Sequence, residues 1–266
     1  MKALIVVPAR YGSTRFEGKP LKLIAGRSMV SRVAETARKA AALMEDADYI
    51  VATDDERILE HCQDQDIKAV MTPVDVATGT DRALAAVDAL GVFPEVVVNL
   101  QGDAPFTPPE MVAAVGLAAA EGAEDVATPV VRLSWNALDE MRAHKKTAPF
   151  SGTTCICGTD GRALWFSKNI IPAMRKEEKM REAGDLSPVL RHIGLYAYRL
   201  DALKRFADLP EAHYEQLEGL EQLRMLENGM TIRVVEVDEP EINIGGVDTQ
   251  DDLDLLERML RDRKLS

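Results

Sequence analysis

The pattern of hydrophobic and polar positions switches between two periods along the first half of the chain. Four short apolar runs predict buried strands: residues 3–7, 49–53, 68–71 and 96–100. Between the first two runs, apolar residues from Met29 to Met44 recur at helical spacing and predict a helix. Strands that alternate with helices are typical of a mostly parallel sheet with helices on both faces. We therefore predict an α/β, Rossmann-like fold.

The pattern is less regular in the second half. After a strand at 126–131, residues 132–190 combine short strands at 153–157 and 163–166 with a charged stretch at 174–184, in which we expect a mobile surface loop. Beyond it we predict a strand at 191–199, a helix at 211–228 with a core face that includes Leu217, a strand at 231–237 and a helix at 250–260. This predicts an inserted lobe, 132–199, within a nucleotide-binding core formed by 1–131 and 200–266. The cations of this lobe, such as Lys145, Lys146 and Arg175, favour a solvated face.

The first apolar run passes through Pro8 and Ala9 into a loop that contains three cations, Arg10, Arg15 and Lys19. The carboxyl edge of an α/β sheet is where ligands bind, and three cations favour an anion; a solvated loop is the alternative. The spacing excludes a P-loop, because five residues separate Gly12 from Gly18 where that motif has four, and Pro20 stands where it has Ser or Thr.

Composition limits the classes of function. The chain has 266 residues, 46% of them hydrophobic, and a net charge of −12. Such an acidic chain is not expected to bind nucleic acid in general, so any phosphate must be held locally. Apolar stretches are too short to span a membrane and the sequence opens without a signal-peptide pattern, which predicts a cytoplasmic protein with no membrane partner. Three cysteines, Cys62, Cys155 and Cys157, favour reduced structural thiols.

Carboxylates follow two strand predictions. Asp103 comes just after the strand at 96–100, where it can bind Mg²⁺ beside a phosphate or act as an ordinary turn residue. The motif 107–110 then predicts a helix with Thr107 as N-cap in a capping box. Asp248 either caps the final helix or supplies a second carboxylate to the same metal. Asp54 and Asp55 are interpreted as caps of the helix that follows them.

Other polar residues allow a ligand-binding or a purely structural interpretation. The turn formed by Thr78, Gly79, Thr80, Asp81 and Arg82 can contact a nucleobase through main-chain groups. The alternative is a helix N-cap at Thr78 or Thr80. His192, Tyr196 and Tyr198 share one strand face and can hydrogen-bond a polyhydroxyl ligand if that face lines a cleft; a satisfied core histidine is the alternative. On the helix at 211–228, the side chains of Glu218, Glu221 and Gln222 fall on the face expected to be solvated.

Several motifs together resemble the 3-deoxy-manno-octulosonate (Kdo) cytidylyltransferase family. They are Val7-Pro-Ala-Arg-Tyr-Gly-Ser-Thr-Arg-Phe-x-Gly-Lys-Pro-Leu21, Val51-Ala-Thr-Asp54, Gly79-Thr-Asp-Arg82, Asn99-x-Gln-Gly-Asp103, Arg191-His-Ile-Gly-Leu-Tyr196, Leu220-Glu-Gln-Leu-Arg224 and Gly246-Val-Asp-Thr249. The resemblance implies a nucleotidyltransferase that joins CMP from CTP to Kdo, a 2-keto-3-deoxy sugar acid, for lipopolysaccharide synthesis. It also implies a homodimer and dependence on Mg²⁺.

The resemblance assigns roles to individual residues. It implies that Arg10, Arg15, Lys19, Asp103 and Asp248 are catalytic, with the two aspartates as metal ligands. It implies that the nucleotide is held by Pro8, Ala9, Arg10, Ser13, Lys19, Thr78, Gly79, Thr80, Arg82 and Gln101. It implies that the sugar acid contacts Gln101, His192, Tyr196, Glu221 and Gln222.

The sequence departs from the family pattern at three places. Ala104 replaces a usual glutamate, Phe16-Glu17 replaces Leu-Pro, and residues 144–155 replace an Asn-Pro followed by a Val-Lys-Val-Val strand. The third departure lies in the predicted lobe, so it affects the identity of the acid more than the chemistry. The alternatives are a cytidylyltransferase for another acid, such as an amino-substituted Kdo or a sialic-type acid, and a non-catalytic nucleotide-sugar-binding protein.

Overall fold

The computed structural model describes residues 1–12, 16–242, 246–247 and 249–262, without the side chain of Asp262. The strands are β1 (Ala3–Ala9), β2 (Leu23–Ile24), β3 (Arg27–Ser28), β4 (Ala47–Thr53), β5 (Ala69–Met71), β6 (Val96–Asn99), β7 (Val126–Ser134), β8 (Thr153–Cys157), β9 (Ala163–Ser167), β10 (Leu186–His192), β11 (Tyr196–Arg199) and β12 (Ile232–Glu236). The α-helices are α1 (Met29–Ala42), α2 (Glu56–Asp64), α3 (Gly79–Leu90), α4 (Pro109–Glu121), α5 (Trp135–Lys145), α6 (Glu177–Ala183), α7 (Leu200–Ala207), α8 (His213–Glu218), α9 (Gln222–Glu227) and α10 (Gln250–Asp262), and a 3₁₀ turn spans Lys19–Leu21.

Within the described residues, ten strands form one mixed sheet in the order β5-β4-β1-β6-β11-β7-β10-β8-β9, with β12 paired to β7. The pairs β5–β4, β4–β1 and β1–β6 are parallel, and β11 runs antiparallel to both β6 and β7. The fold is α/β, as the alternating periods predict. Strand β11 falls within the predicted lobe 132–199 and lies between β6 and β7 in the sheet. The division into core and lobe stays a prediction.

Side chains of β1 alternate between two hydrophobic layers, one on each face of the sheet. Ile5 and Val7 pack in the layer that contains Val33 and Val112, from α1 and α4. Leu4 and Val6 pack in the layer that contains residues of α3 and α7. Each Val, Leu or Ile removed from water in this way contributes roughly 1.5–3 kcal/mol of transfer free energy. Helices therefore cover both faces, as predicted.

Two predicted elements are interrupted. The predicted helix 211–228 is divided into α8 and α9 at Gly219, which has a φ of 62° and ends α8. This break leaves Leu217 68% exposed, so its predicted core position is wrong. The predicted strand 191–199 is divided into β10 and β11, although Ile193 still donates to the Pro129 carbonyl. Hydrophobic periodicity missed both breaks because it continues through them.

Three local predictions are also wrong. The segment expected as a mobile loop contains α6, which is held by Glu177 between Arg142 and Arg181. Thr107 does not cap α4: Pro108 occupies the N-cap position, and the Thr107 hydroxyl donates to the Ala104 carbonyl.

The third local error concerns Asp54, which was interpreted as a cap of α2. Asp55 alone caps this helix, because its side chain accepts a hydrogen bond from the main-chain N–H of Arg57. Asp54 instead forms an ion pair with the buried Arg82.

Among the described residues, each helix is too short or too polar to cross a lipid bilayer. Cys62 and Cys155 are buried free thiols, and burial raises their pKa values to about 11 and about 12. Both thiols therefore stay protonated at neutral pH and act as small apolar side chains.

Candidate active site

The carboxyl ends of the neighbouring parallel strands β1 and β6 approach each other closely. A Cβ atom on Gly102, which follows β6, would collide with the main-chain carbonyl oxygen of Pro8 in β1. A Cβ on Gly79 would lie 3.7 Å from both the Gln101 Oε1 atom and the Pro8 side chain. The start of α3 thus joins the two strand ends, and these groups form the predicted nucleotide side of the site.

Lys19 and Asp103 form the charged centre of this edge. Lys19 Nζ donates to Asp103 Oδ2 at 2.8 Å, and the lysine side chain is only 13% exposed. Gly18, with a φ of 65°, starts the 3₁₀ turn that presents Lys19. The N–H of Val247 donates to the Asp103 carbonyl oxygen, which attaches the chain before α10 to the same loop. Residues 84 positions apart in the sequence are therefore in direct contact.

Three predicted residues, Ser13, Arg15 and Asp248, lie outside the described residues. At the start of α10, the Thr249 hydroxyl accepts from the N–H of Asp252 while the Asp252 carboxylate accepts from the N–H of Thr249. The described part of the chain contains no group of three or more His, Cys, Asp or Glu side chains able to hold a metal. From this part, the carboxylate suited to a hard cation at the strand ends is that of Asp103.

Each polar side chain of the turn at 78–82 has a structural role. Thr78 caps α3 in a capping box with Asp81, which confirms the capping interpretation. Thr80 Oγ1 donates to Glu221 Oε1 at 2.6 Å and accepts from Asn99 Nδ2. Arg82 is 2% exposed and donates to Asp54 and Thr72, both at 2.7 Å. Their nucleotide-binding roles stay predictions, with Gly79 the member that faces Pro8 and Gln101.

A cleft of about 720 Å³ extends from Asp103 along the sheet. Five residues predicted for the metal and the sugar acid lie on its wall: Gln101, Asp103, His192, Tyr196 and Gln222. Glu221 is instead bonded to Thr80, and Arg10 is exposed, with a 3.4 Å hydrogen bond from its guanidinium to the Ala77 carbonyl. The fold therefore brings predicted residues from the loop after β6 and from β10, β11 and α9 into one cavity.

Comparison with known proteins identifies the family. A family model described as cytidylyltransferase matches residues 4–232. The chain belongs to the cytidylyltransferase family. It is a nucleotidyltransferase, and members of this family generally use a divalent metal.

Individual relatives and solved structures show which cytidylyltransferases this chain is similar to. The chain is 43% identical to a 3-deoxy-manno-octulosonate cytidylyltransferase of Maricaulis maris over 95% of this chain and 94% of that protein. It is 40% identical to one from Nitratidesulfovibrio vulgaris strain DP4, over 97% and 95% of the two chains. A structure of CMP:2-keto-3-deoxy-manno-octonic acid synthetase complexed with CTP superimposes with a TM-score of 0.81 at 36% identity, covering 99% of this chain and 100% of that one. A cytidylyltransferase from Leptospira borgpetersenii, 14% identical over 98% and 87% of the chains with a TM-score of 0.60, shares the fold.

His192 of this cytidylyltransferase lines the cleft with a defined tautomer. The Thr128 hydroxyl donates to the Leu195 carbonyl, so it accepts the 2.9 Å hydrogen bond from His192 Nε2–H. The lone pair is then on Nδ1. Burial, and next the nearby charge of Lys168, lower the His192 pKa to about 3. The imidazole is therefore neutral at physiological pH. The sequence left two alternatives for His192, a hydrogen-bonded core histidine and a residue that lines the cleft, and in the structure His192 is both.

Glu221 is partly buried beneath the cleft, which contradicts its expected place on a solvated helix face. Burial raises its pKa, whereas the hydrogen bond from Thr80 and the charge of Arg224 act in the opposite direction. Glu218 was also expected to be solvated, yet it accepts from the Ser167 hydroxyl and from the N–H of Lys168. Both carboxylates therefore accept hydrogen bonds from other parts of the chain.

Sequence reasoning missed two cations of the cleft wall, Lys168 and Arg191. Arg191 Nη2 is buried without a hydrogen-bond partner among the described residues, although Glu239 Oε1 lies 3.4 Å away, and burial lowers the Arg191 pKa. Gln222 Nε2 is also buried without an acceptor there. Arg191 immediately precedes His192, so its place in the motif was the available signal. Lys168 follows β9 in the irregular region, where periodicity gives no indication of a cleft.

Proposed function

We propose that this chain transfers CMP from CTP to the anomeric hydroxyl of Kdo, releasing pyrophosphate. The observation that carries the proposal is the cleft, which has the Lys19–Asp103 pair at the strand ends. Its wall also contains the buried Gln222 Nε2, which has no acceptor among the described residues, and the guanidinium of Arg191, which lies 3.4 Å from Glu239. A buried donor without an acceptor costs free energy, which an anionic, polyhydroxyl ligand would recover. The names of the Maricaulis and Nitratidesulfovibrio relatives support the same acid.

The nucleotide would lie along the ends of β1 and β6. The close packing of Gly79, Pro8 and Gln101 gives the base main-chain groups and an amide to contact. Lys19 would neutralise charge on the triphosphate, and the exposed guanidinium of Arg10 can turn toward the same phosphates. Ser13 and Arg15 are assigned to the triphosphate by the resemblance alone.

We expect the divalent metal to be Mg²⁺. Asp103 offers a carboxylate in the cleft, and Mg²⁺ is commonly bound by one or two carboxylates together with substrate phosphates. We expect Asp103 and, from the resemblance, Asp248 to hold it. When bound, the metal supplies charge stabilisation at the phosphates and makes the attacking hydroxyl more acidic.

The sugar acid would occupy the other end of the cleft. Arg191 and Lys168 supply cations for its carboxylate. His192 Nδ1 can accept from a sugar hydroxyl, because Nε2 already donates to Thr128. Gln222 can donate through its unpaired Nε2 atom, and Tyr196 adds a phenol to the same wall.

The reaction is an in-line displacement at phosphorus. The anomeric oxygen at C2 of the acid forms a bond to the α-phosphorus, the bond from the α-phosphorus to the bridging oxygen of the β-phosphate breaks, and pyrophosphate leaves with the bonding electron pair while the hydroxyl proton is released. Such transfers depend mainly on positioning and charge stabilisation. Lys19 is the described cation placed to stabilise the charge that develops on the leaving group.

The test is a pyrophosphate-release assay with CTP, UTP, GTP and ATP against Kdo, amino-substituted Kdo and a nine-carbon sialic acid. We expect kcat/KM for CTP with Kdo to be at least about 100-fold higher than for any other pair. A substrate that leaves polar groups of the cleft without hydrogen-bond partners loses transition-state stabilisation. Turnover by none of these pairs, with CTP binding retained, would instead indicate a nucleotide-sugar-binding protein.

One feature of the cleft favours a second candidate, an amino-substituted acid. Helix α5 contributes a carboxylate, Glu140, to the wall, together with His144. A carboxylate in a ligand cleft can pair with an ammonium group of the substrate. Higher kcat/KM with the amino-substituted acid than with Kdo would support this candidate. The homodimer, the cytoplasmic location and the assignment of the acid to the lobe 132–199 stay predictions.

A further inference from the structure

Lys145, the last residue of α5, has its ammonium surrounded by main-chain carbonyl oxygens. It donates to the carbonyls of Pro149, Ser151, Gly152 and Lys168, at 3.4 Å to Pro149, 3.1 Å to Gly152 and 2.7 Å to Lys168. The sequence favoured a solvated lysine at this position. Its contacts instead join the turn that follows α5 to the chain at the end of β9.

Both segments joined by Lys145 form the wall of the cleft. Ser151, Gly152 and Thr153 line it from one segment and Lys168 from the other. Two charged side chains hold the main chain of Lys168 by hydrogen bonds. Glu218 accepts from its N–H at 2.7 Å, and Lys145 donates to its C=O. The position from which the Lys168 side chain enters the cleft is thereby fixed on both sides.

We propose that Lys145 is a positioning residue that ties the turn 149–152 to Lys168 and so shapes the part of the cleft that receives the sugar acid. The inference deepens the proposed function and rests on it for the identity of that substrate.

Charge and geometry explain why a lysine suits this position. Carbonyl oxygens that point at one place repel one another unless a cation or donors lie between them, and an ammonium group supplies both. Without it, the turn keeps local bonds, such as those from Ser151 to the Ala148 carbonyl, but loses its direct link to Lys168. A displacement of the turn by about 1 Å is enough to weaken a substrate contact substantially.

The test compares Lys145→Met, which keeps the aliphatic stem, with Lys146→Met as the matched control. Lys146 is the neighbouring residue and is exposed. We expect Lys145→Met to raise the KM for the sugar acid roughly tenfold while the KM for CTP stays within about twofold of wild type. Lys146→Met should match wild type in both. Equal changes in the two KM values, or no change, would overturn the proposal.

Chemical rescue separates positioning from general damage to the fold. Lys145→Ala is assayed with ethylammonium chloride, which can donate to the carbonyls, and with tetramethylammonium chloride, which has no N–H group. Partial recovery of the sugar-acid KM with ethylammonium alone supports the proposal, and equal effects of the two salts contradict it.

Amide hydrogen exchange distinguishes failure of this inference from failure of the proposed function. If Lys145 ties the two segments, Lys145→Met speeds exchange at residues 151–153 and 168–169 and leaves the strands β1 and β6 unchanged. This result is independent of the substrate, so wild-type protein that is inactive with Kdo refutes the function only. Unchanged exchange refutes the inference, whether or not wild type turns over Kdo.

Discussion

Asp103 acquires its chemical setting from residues that are distant in the sequence. By position alone it is either a turn residue or a metal ligand, and both interpretations fit a loop after a strand. In the structure its Oδ2 atom pairs with Lys19 and its main-chain carbonyl accepts from Val247. The carboxylate lines the cleft, and its role as a metal ligand stays a prediction.

The first prediction concerns this carboxylate. Asp103→Asn keeps the size of the side chain and removes its charge, so we expect kcat/KM for pyrophosphate release to fall by roughly 10³-fold or more, the scale seen when a group that stabilises transition-state charge is lost. Asp64→Asn, at an exposed position of α2, is the control and should keep wild-type activity. Activity of Asp103→Asn within threefold of wild type would contradict the metal assignment.

His192 makes stability depend on pH in a defined direction. Its pKa is lowered to about 3 in the folded state from an ordinary value of 6.5, so the unfolded state binds more protons between these pH values. The contribution of the neutral histidine is complete above pH 6.5 and is lost as the pH falls. Between pH 6.5 and 5 the loss is at most about 2 kcal/mol, and water in the cleft reduces it.

Urea unfolding at several pH values tests this expectation. Wild type should lose more free energy of unfolding between pH 7 and pH 5 than His192→Gln does, because glutamine does not titrate. His213→Gln, on the exposed start of α8, should follow the wild-type curve. Parallel curves for wild type and His192→Gln would show that His192 is not the group responsible.

At the scale of elements, the hydrophobic pattern predicted the strands whose positions depend mainly on local sequence. Strand β8 has the predicted bounds, and the positions of β1, β4 and β6 differ from prediction by a few residues. The failures at Gly219 and between β10 and β11 share a cause, because apolar spacing continues across each break. At Gly219 the helix ends at a glycine in the left-handed conformation, a signal that apolar spacing does not contain. These two breaks place Glu218, Glu221, His192 and Tyr196 at or beside the cleft.

The element-scale prediction concerns the close approach of Gly102, after β6, to Pro8 in β1. Gly102→Ala would bring a methyl group against the Pro8 carbonyl and push the loop that holds Asp103 away from β1. We expect kcat/KM to fall about 100-fold, since small displacements of positioned groups are costly. Gly184→Ala is the control, because Gly184 has an extended φ of 169° and nothing within 4 Å of its Cβ position. The assay is pyrophosphate release, with circular dichroism to confirm folding; a Gly102→Ala enzyme as active as the control would contradict the argument.

For the whole molecule, the site lies where the two parts of the sheet join. Parallel strands β1 and β6 supply the Lys19–Asp103 end, and the antiparallel strands β10 and β11 supply His192 and Tyr196. The chain carries a net charge of −12, yet the cleft wall contains Lys168 and Arg191. Under the proposed function, these local cations would hold the anion in an otherwise acidic protein, which is the arrangement that the composition predicts.

The sequence by itself determined the α/β class, the basic loop after β1 and, through its motifs, the family. These follow from local periodicity and from the types of residue in each motif. Which of Thr78 and Thr80 caps α3 was decided by the structure. The tertiary structure alone decided that Asp54 pairs with Arg82, that Glu221 is bonded to Thr80, and that Lys145 and Glu218 grip the main chain of Lys168. Each of these contacts joins residues that lie 23 to 141 positions apart, and only the folding of the sheet brings them within hydrogen-bond distance.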